Sequence, residues 1–399
     1  MASEPPVESE RVPPMTTRVT DLEPTAIREM FNLADEQEGD LVRLEIGEPD
    51  FDTPGHIIDA AAEAAHDGAT HYTSNAGVLE LREAIAEKSQ REHDLTLDPE
   101  TEIAVTGGGM EALFLALLAV AGTDEDVLVP TPAWPNYTMQ SHLLGANGVE
   151  VPMPKADDYQ LDADRVIDRM SADTAAVVVN TPTNPTGRIQ DLDEIERLVD
   201  AAAEHDAYVI ADEVYKTLTY DDGDPTSTAA HFDKPQNMLV VNSCSKQYAM
   251  TGWRLGWLAG PEPVIEQVCK AHISTTTCAS SLAQYGAIEA MTGPQEPIEE
   301  MYDAFKERRD FVAKRIDEIP GIDAPYPQGG FYAFIDISEF GSSYDVASKL
   351  ITDYGVVTVP GTGFGEAGEG SIRISFANSL DRLELAFERI EAMATDERR

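Results

Sequence analysis

The sequence predicts an α/β protein, a mostly parallel sheet covered by helices with a smaller α+β domain after it. Three observations predict this. Short apolar strand patterns at residues 103–106, 127–130, 175–180, 207–212, 238–242 and 255–259 alternate with helical patterns such as 110–121 and 192–205. Two of the strands, AAVVVN and AYVIAD, are apolar on both faces, as a strand between two helix layers must be. Near residue 290 the rhythm changes: a long amphipathic pattern over 296–319 precedes isolated strands in GGFYAFIDI, GVVTVP and SIRISF, interleaved with helices at 344–353 and 380–393.

The expected division is a flexible acidic tail over 1–16, an N-terminal arm with part of the small domain over 17–52, a large domain over 53–290 and the C-terminal small domain over 291–399. A helical pattern at 24–36 and an apolar stretch at 41–46 form the arm. The tail, MASEPPVESERVPPM, lacks the apolar core of a secretory signal. No apolar run approaches the roughly 18 residues that suggest a membrane span. A hydrophobic share of 42% with 25% charged residues is ordinary for a folded chain, and 399 residues suffice for a large core.

The charge balance is unusual: 28 Lys and Arg face 73 Asp and Glu, a formal net charge of −45. Such an excess repels nucleic acid and anionic membranes, so neither is an expected partner. It also repels itself, a cost that salt removes, since the Debye length falls to about 3 Å at 1 M. The acids are spread along the chain rather than blocked, which favours adaptation to a salt-rich cytosol over a single acidic docking face. Three cysteines, Cys244, Cys269 and Cys278, form no CxxC pair and no even framework, so reduced thiols in a cytoplasmic protein are expected. The eight histidines show no ligand spacing, and no catalytic metal is expected.

The sharpest chemical signal is NSCSKQYAMTGWRLGW, directly after the strand MLVV. Lys246 at a strand end has Ser243 and Ser245 before it and Arg254 eight residues after it, an amine beside three phosphate-binding groups. A phosphorylated aldehyde needs that combination, and a lysine whose pKa is lowered by its site is suited to imine chemistry. A lone lysine after a strand would be solvated surface; the serines and the arginine argue otherwise. The turn TGGGMEALFLALL adds free N–H groups of Gly108, Gly109 and Met110 at a helix start, which suit a phosphate. A loose dinucleotide fingerprint fits the same letters, but the next strand, VLVP, runs into Thr131, Pro132 and Ala133 without the acidic residue that reading requires.

From these motifs the chain resembles the fold-type I pyridoxal phosphate enzymes, specifically the class I/II aminotransferase family, from about residue 17 onward; its acidic composition is haloarchaeal-like. The resemblance implies pyridoxal 5′-phosphate as cofactor, bound in the large domain as a Schiff base on Lys246. Asp212, ending the strand in ADEVY, would hold the pyridine nitrogen protonated, making the ring an electron sink. Tyr215 would bond the 3′-oxygen, as would Asn184 in NTPTNPTG, which Pro185 keeps out of helical geometry. Alone, an Asp-Glu pair after a strand is usually a helix cap and Asn-Pro an ordinary turn. Trp134 in TPAWPNY stands where the family often stacks an aromatic ring on the pyridine, though most tryptophans are simply core. Tyr72 matches a tyrosine that reaches the phosphate of the neighbouring subunit's cofactor, which implies a homodimer with shared sites.

Gly47 in IGEPDFDTP falls where the family's backbone approaches the substrate; a plain glycine turn is the bland reading. Arg373 in SIRISFAN is the expected clamp for the substrate α-carboxylate, because an inward strand arginine is costly unless paired and its planar fork matches a carboxylate. Cys244, beside the lysine, reads as small buried filler.

The implied reaction moves the amino group of an L-amino acid to a 2-oxo acid such as 2-oxoglutarate by a ping-pong route, with an aspartate-like or broad donor range. Two other classes share features of the sequence: a carbon–sulfur β-lyase or other enzyme on the same scaffold, and a non-catalytic cofactor-binding regulator. The acidic N-terminus of only about 40 residues before Gly47 argues against the regulator's DNA-binding domain. A dicarboxylic donor would want a second cation, for which Arg18 in TTRVTDL is one candidate, against a plainer role as surface charge or subunit contact.

Overall fold

The computed structural model describes residues 15–22, 24–221 and 223–398. Most of the expected tail, residues 1–14, lies outside them. Among the described residues there are twelve strands: β1 Val42–Arg43, β2 Ile103–Thr106, β3 Asp126–Thr131, β4 Asn147–Pro152, β5 Thr174–Asn180, β6 Tyr208–Asp212, β7 Met238–Ser243, β8 Gly256–Ala259, β9 Tyr332–Asp336, β10 Val356–Val357, β11 Val359–Pro360 and β12 Ser371–Ser375.

Seven of them form the main sheet in the order β2-β8-β7-β6-β5-β3-β4. Only β8 runs antiparallel to its neighbours; the pairs from β7 through to β4 are parallel. The two-faced apolar strands behave as expected. Along β5, Ala176 and Val178 point into the cluster with the helix Gly109–Val120, while Val177 and Val179 join the larger core on the opposite face. Each fully buried valine of that kind stabilises the fold by roughly 1.5–3 kcal/mol relative to exposure.

A second sheet, β11-β12-β9, is antiparallel, and a two-stranded parallel pair joins β1 to β10. The N-terminal arm is thereby tied to the C-terminal part of the chain. The long helix Glu296–Glu318 and the C-terminal helix Leu380–Glu397 lie where the amphipathic patterns begin, and the latter is capped by the Ser379 side chain, which accepts from the Arg382 N–H. Strand β4 had no counterpart in the sequence reading. It is an edge strand of mostly half-buried and exposed residues that opens on Asn-Gly and closes on proline, so neither alternation nor an apolar run marks it.

For the site, the level of the strand ends matters most. Asn180 at the end of β5 is in register with Asp212 at the end of β6, and β7 beside them ends at Ser243. Parallel strands thus deliver three polar residues to one rim of the sheet, the place where open α/β sheets bind ligands.

Candidate active site

At that rim lies a cavity of about 400 Å³, closed on its far side by the segment around Gly47 and by Tyr332 and Arg373 of the small sheet. Of the sequence-predicted residues, Gly47, Gly109, Met110, Trp134, Asn184, Asp212, Tyr215, Ser243, Ser245, Lys246, Arg254 and Arg373 line it.

Lys246 stands on the one-turn helix Cys244–Gln247, which begins as β7 ends because the Ser243 hydroxyl accepts the Ser245 N–H at 3.0 Å. Its Nζ donates to the Gly47 carbonyl at 2.5 Å and lies 5.7 Å from the centre of the Tyr215 ring. Burial lowers the amine to about 8, and the positive charge of Arg373 adds to the effect. A sizeable neutral fraction is therefore available near pH 7–8, as amine nucleophilicity requires.

Asp212 accepts the Tyr137 hydroxyl at Oδ2 (2.7 Å) and the Val214 N–H at Oδ1 (3.2 Å). Burial pushes its carboxyl up to about 6, against those two hydrogen bonds, which favour the anion. A cationic ligand group facing it would complete the anion's stabilisation. Asn180 ties the rim together: its Nδ2 donates to the Asp212 carbonyl at 2.9 Å, and its Oδ1 accepts the Asn184 N–H at 2.8 Å. The Tyr215 and Tyr332 hydroxyls sit 2.9 Å apart.

Opposite, the Ser243 and Ser245 hydroxyls are 2.8 Å apart and Arg254 reaches across to the glycine turn. Gly108 has φ +99°, and a Cβ there would stand 2.6 Å from Arg254 Nη2, so only glycine admits the guanidinium. Strand β8 presses equally close, since a Cβ on Gly256 would lie 2.5 Å from the Gly109 nitrogen. Gly108 itself is the residue before the helix Gly109–Val120, whose first N–H groups have no intrahelical acceptor.

Arg373 on β12 is 2% exposed. Its Nη2 donates to the Glu45 carbonyl, its Nη1 lies 3.4 Å from Asn184 Oδ1, and its Nε has no partner. The guanidinium sits over the Tyr332 ring at 4.7 Å and the Phe364 ring at 5.1 Å, and burial lowers its pKa. A buried fork with unspent donors beside a cavity is suited to a carboxylate. Trp134 packs edge-on to Tyr137, ring centres 5.6 Å apart.

Two predicted cofactor residues do not line the cavity: Gly108 lies against Arg254 beside it, and Tyr72 is 86% exposed. Arg18 is likewise elsewhere, its guanidinium lying over Gly145. Three rim residues escaped the sequence reading. Tyr137 and Tyr332 look like core aromatics, and only the rule that a buried phenol needs a partner would have flagged them. Asn180 was visible as the first letter of the NTPTNPTG run.

The residues present fit pyridoxal phosphate. The glycine cradle that a Cβ would fill, the paired serines and Arg254 suit its phosphate, and a lysine amine and a carboxylate stand across the same cavity. Fold and cavity together define a pyridoxal phosphate-dependent enzyme of fold type I. The chain belongs to the family of class I and II aminotransferases, whose family model matches residues 39–390. It is 38% identical to aromatic-amino-acid aminotransferase 2 of Thermococcus litoralis over 387 residues, 96% of this chain and 99% of that one. Aspartate aminotransferase of Pyrococcus abyssi is also 38% identical, with the same coverage of both chains. Among solved structures, aspartate aminotransferase from Thermus thermophilus with maleate superposes with a TM-score of 0.89 at 37% identity, covering 96% of this chain and all (100%) of that one. The protein is therefore a transferase that uses pyridoxal phosphate to move amino groups between amino acids and 2-oxo acids.

Proposed function

We propose that the enzyme takes its amino group from an aspartate-like or broad range of L-amino acids and delivers it to 2-oxoglutarate by a ping-pong route. The names of its relatives support the donor range: aspartate and aromatic-amino-acid aminotransferases are both 38% identical to it. The observation that carries the mechanism is the Lys246 amine, lowered to about 8 and held 2.5 Å from the Gly47 carbonyl in a cavity shared with Arg373.

When bound, the cofactor supplies an electrophilic carbon and a ring that takes up the electrons of the substrate's Cα. In our reading Ser243, Ser245, Arg254 and the N–H groups of Gly108, Gly109 and Met110 hold its phosphate. Asp212, oriented by Tyr137 and Asn180, keeps a proton on the ring nitrogen. Tyr215 and Asn184 hydrogen-bond the 3′-oxygen, and Trp134 stacks on the ring. Arg373 clamps the substrate α-carboxylate through its free donors, and Gly47 lets the backbone close on the substrate. The Lys246 amine, once free, would be the base that accepts the substrate's Cα proton and the acid that returns it on the far side of the amino nitrogen.

We further propose a homodimer in which Tyr72, 86% exposed here, reaches the neighbouring subunit's cofactor phosphate. Residues 17–52 are read as an N-terminal arm and part of the small domain, 53–290 as the large domain and 291–399 as the C-terminal small domain; the pairing of β1 with β10 supports that grouping. The net charge of −45 supports a halophilic, haloarchaeal-like origin, and three free thiols support a cytoplasmic location. A panel of amino donors assayed with 2-oxoglutarate at low and high salt tests the reading. Glutamate formation from several donors, strongest at high salt, is expected; release of pyruvate and ammonia without an acceptor would indicate a lyase instead.

A further inference from the structure

We infer that His272 and Glu111, neither of which lines the cavity, form a charge pair that positions the phosphate cradle and cancels a negative charge beside it. The inference rests on the reading of Gly108, Gly109 and Met110 as that cradle.

His272, on the helix Glu262–Thr275, is completely buried, at 0% exposure. Its Nδ1 lies 2.8 Å from the Asn75 carbonyl. A carbonyl only accepts, so Nδ1 carries a hydrogen. Its Nε2 faces Glu111 Oε2 at 3.5 Å, an ion-pair distance longer than a good hydrogen bond. A neutral ring would turn a lone pair toward that carboxylate, so the geometry selects the imidazolium. The titration shifts agree. Burial alone would lower His272 and raise Glu111, yet their mutual contact, with the Asn75, Thr276 and Gly107 bonds, raises the first and lowers the second to about 2.

Glu111 stands in the first turn of the helix Gly109–Val120. Its Oε2 accepts the Gly107 N–H at 2.5 Å and its Oε1 accepts the Thr276 hydroxyl. The carboxylate thus pins the residue just before Gly108, the one whose φ of +99° makes room for Arg254. An anion at this place has a drawback, because it repels the incoming phosphate dianion. The His272 imidazolium offsets it. One pair therefore tethers the turn and keeps its field favourable to phosphate.

The two roles separate by substitution. His272→Gln removes the cation and leaves Glu111 uncompensated. Glu111→Gln keeps an oxygen for the Gly107 N–H but removes the anion. The double variant is neutral again. Dissociation constants for pyridoxal 5′-phosphate and for phosphate-free pyridoxal are measured on cofactor-stripped protein by quenching of tryptophan fluorescence, Trp134 lining the cavity.

In His272→Gln the preference for the phosphorylated form should fall about thirtyfold or more, the scale for one unpaired buried charge. It should return to within a few-fold of the parent in the double variant, and hold or rise in Glu111→Gln. A preference unchanged in His272→Gln, or falling equally in all three variants, overturns the inference. Should His272→Gln fail to fold, a fall in Glu111→Gln is the overturning result. A parent protein with no preference for the phosphorylated form would overturn the cradle reading itself, and this inference with it.

Discussion

Replacing Tyr137 by phenylalanine removes one hydroxyl from the site, the one that donates to Asp212 Oδ2 at 2.7 Å. That bond favours the anion, while burial opposes it and sets the carboxyl at about 6. A hydrogen bond to a charged group contributes about 1.5–3 kcal/mol, which corresponds to about one to two pKa units. The carboxyl should then titrate near 7 to 8, and its ionised fraction at pH 7 should drop from about nine-tenths to between about a half and a tenth. A positive ring nitrogen held against Asp212, as proposed for the bound cofactor, would lower both values alike, so the difference between parent and variant would survive. The assay is the pH dependence of kcat/KM. Its acid limb should move to higher pH by about one to two units, with activity recovering on the alkaline side. An acid limb that stays in place, with activity lowered evenly at every pH, would refute the reasoning and reduce Tyr137 to packing.

Three further outcomes follow from the geometry. Arg373→Lys keeps the charge and loses the fork, so KM for both amino acid and oxo acid should rise about thirtyfold or more while cofactor affinity stays level; equal losses of both in steady-state and titration data would contradict the clamp. Gly108→Ala puts a side chain at φ +99° against Arg254, and urea unfolding of the cofactor-free variant should show a loss of about 1–3 kcal/mol. His93 is held down to about 4 by burial and by the neighbouring Lys88 charge, against 6.5 for a free histidine. Its folded pKa lies below its unfolded one, so the unfolded state takes up the proton first. Stability is full above about 6.5 and declines as pH falls toward 4. His93→Gln should flatten that part of the curve of unfolding free energy against pH.

The strands that carry the site were legible because they are buried on both faces, which leaves an unbroken apolar run ending in a polar residue. Asp212 could be placed at a strand end for that reason alone, while Lys246, read as the end of its strand, stands three residues past it on a one-turn helix. The direction of β8 was not legible, since four residues apolar on every side read the same either way along the sheet. Strand β4 was hidden by its exposure. The partners of catalytic groups were the harder part. Tyr137 lies 75 positions from Asp212 and Tyr332 lies 117 from Tyr215, so only the fold brings these hydroxyls together. His272 and Glu111 are 161 positions apart by their numbers, and a buried histidine on an apolar helix face carries no mark of its role.

A single lysine, Lys246, is expected to hold the cofactor, and Lys216, buried and adjacent to Tyr215, is a sharp control. Borohydride reduction of the cofactor-loaded protein, followed by mass mapping of its peptides, reads the attachment point directly. A pyridoxyl adduct confined to Lys246, and absent with all turnover from Lys246→Ala, is the predicted result. An adduct on Lys216 or another lysine, or full activity in Lys246→Ala, would contradict the account.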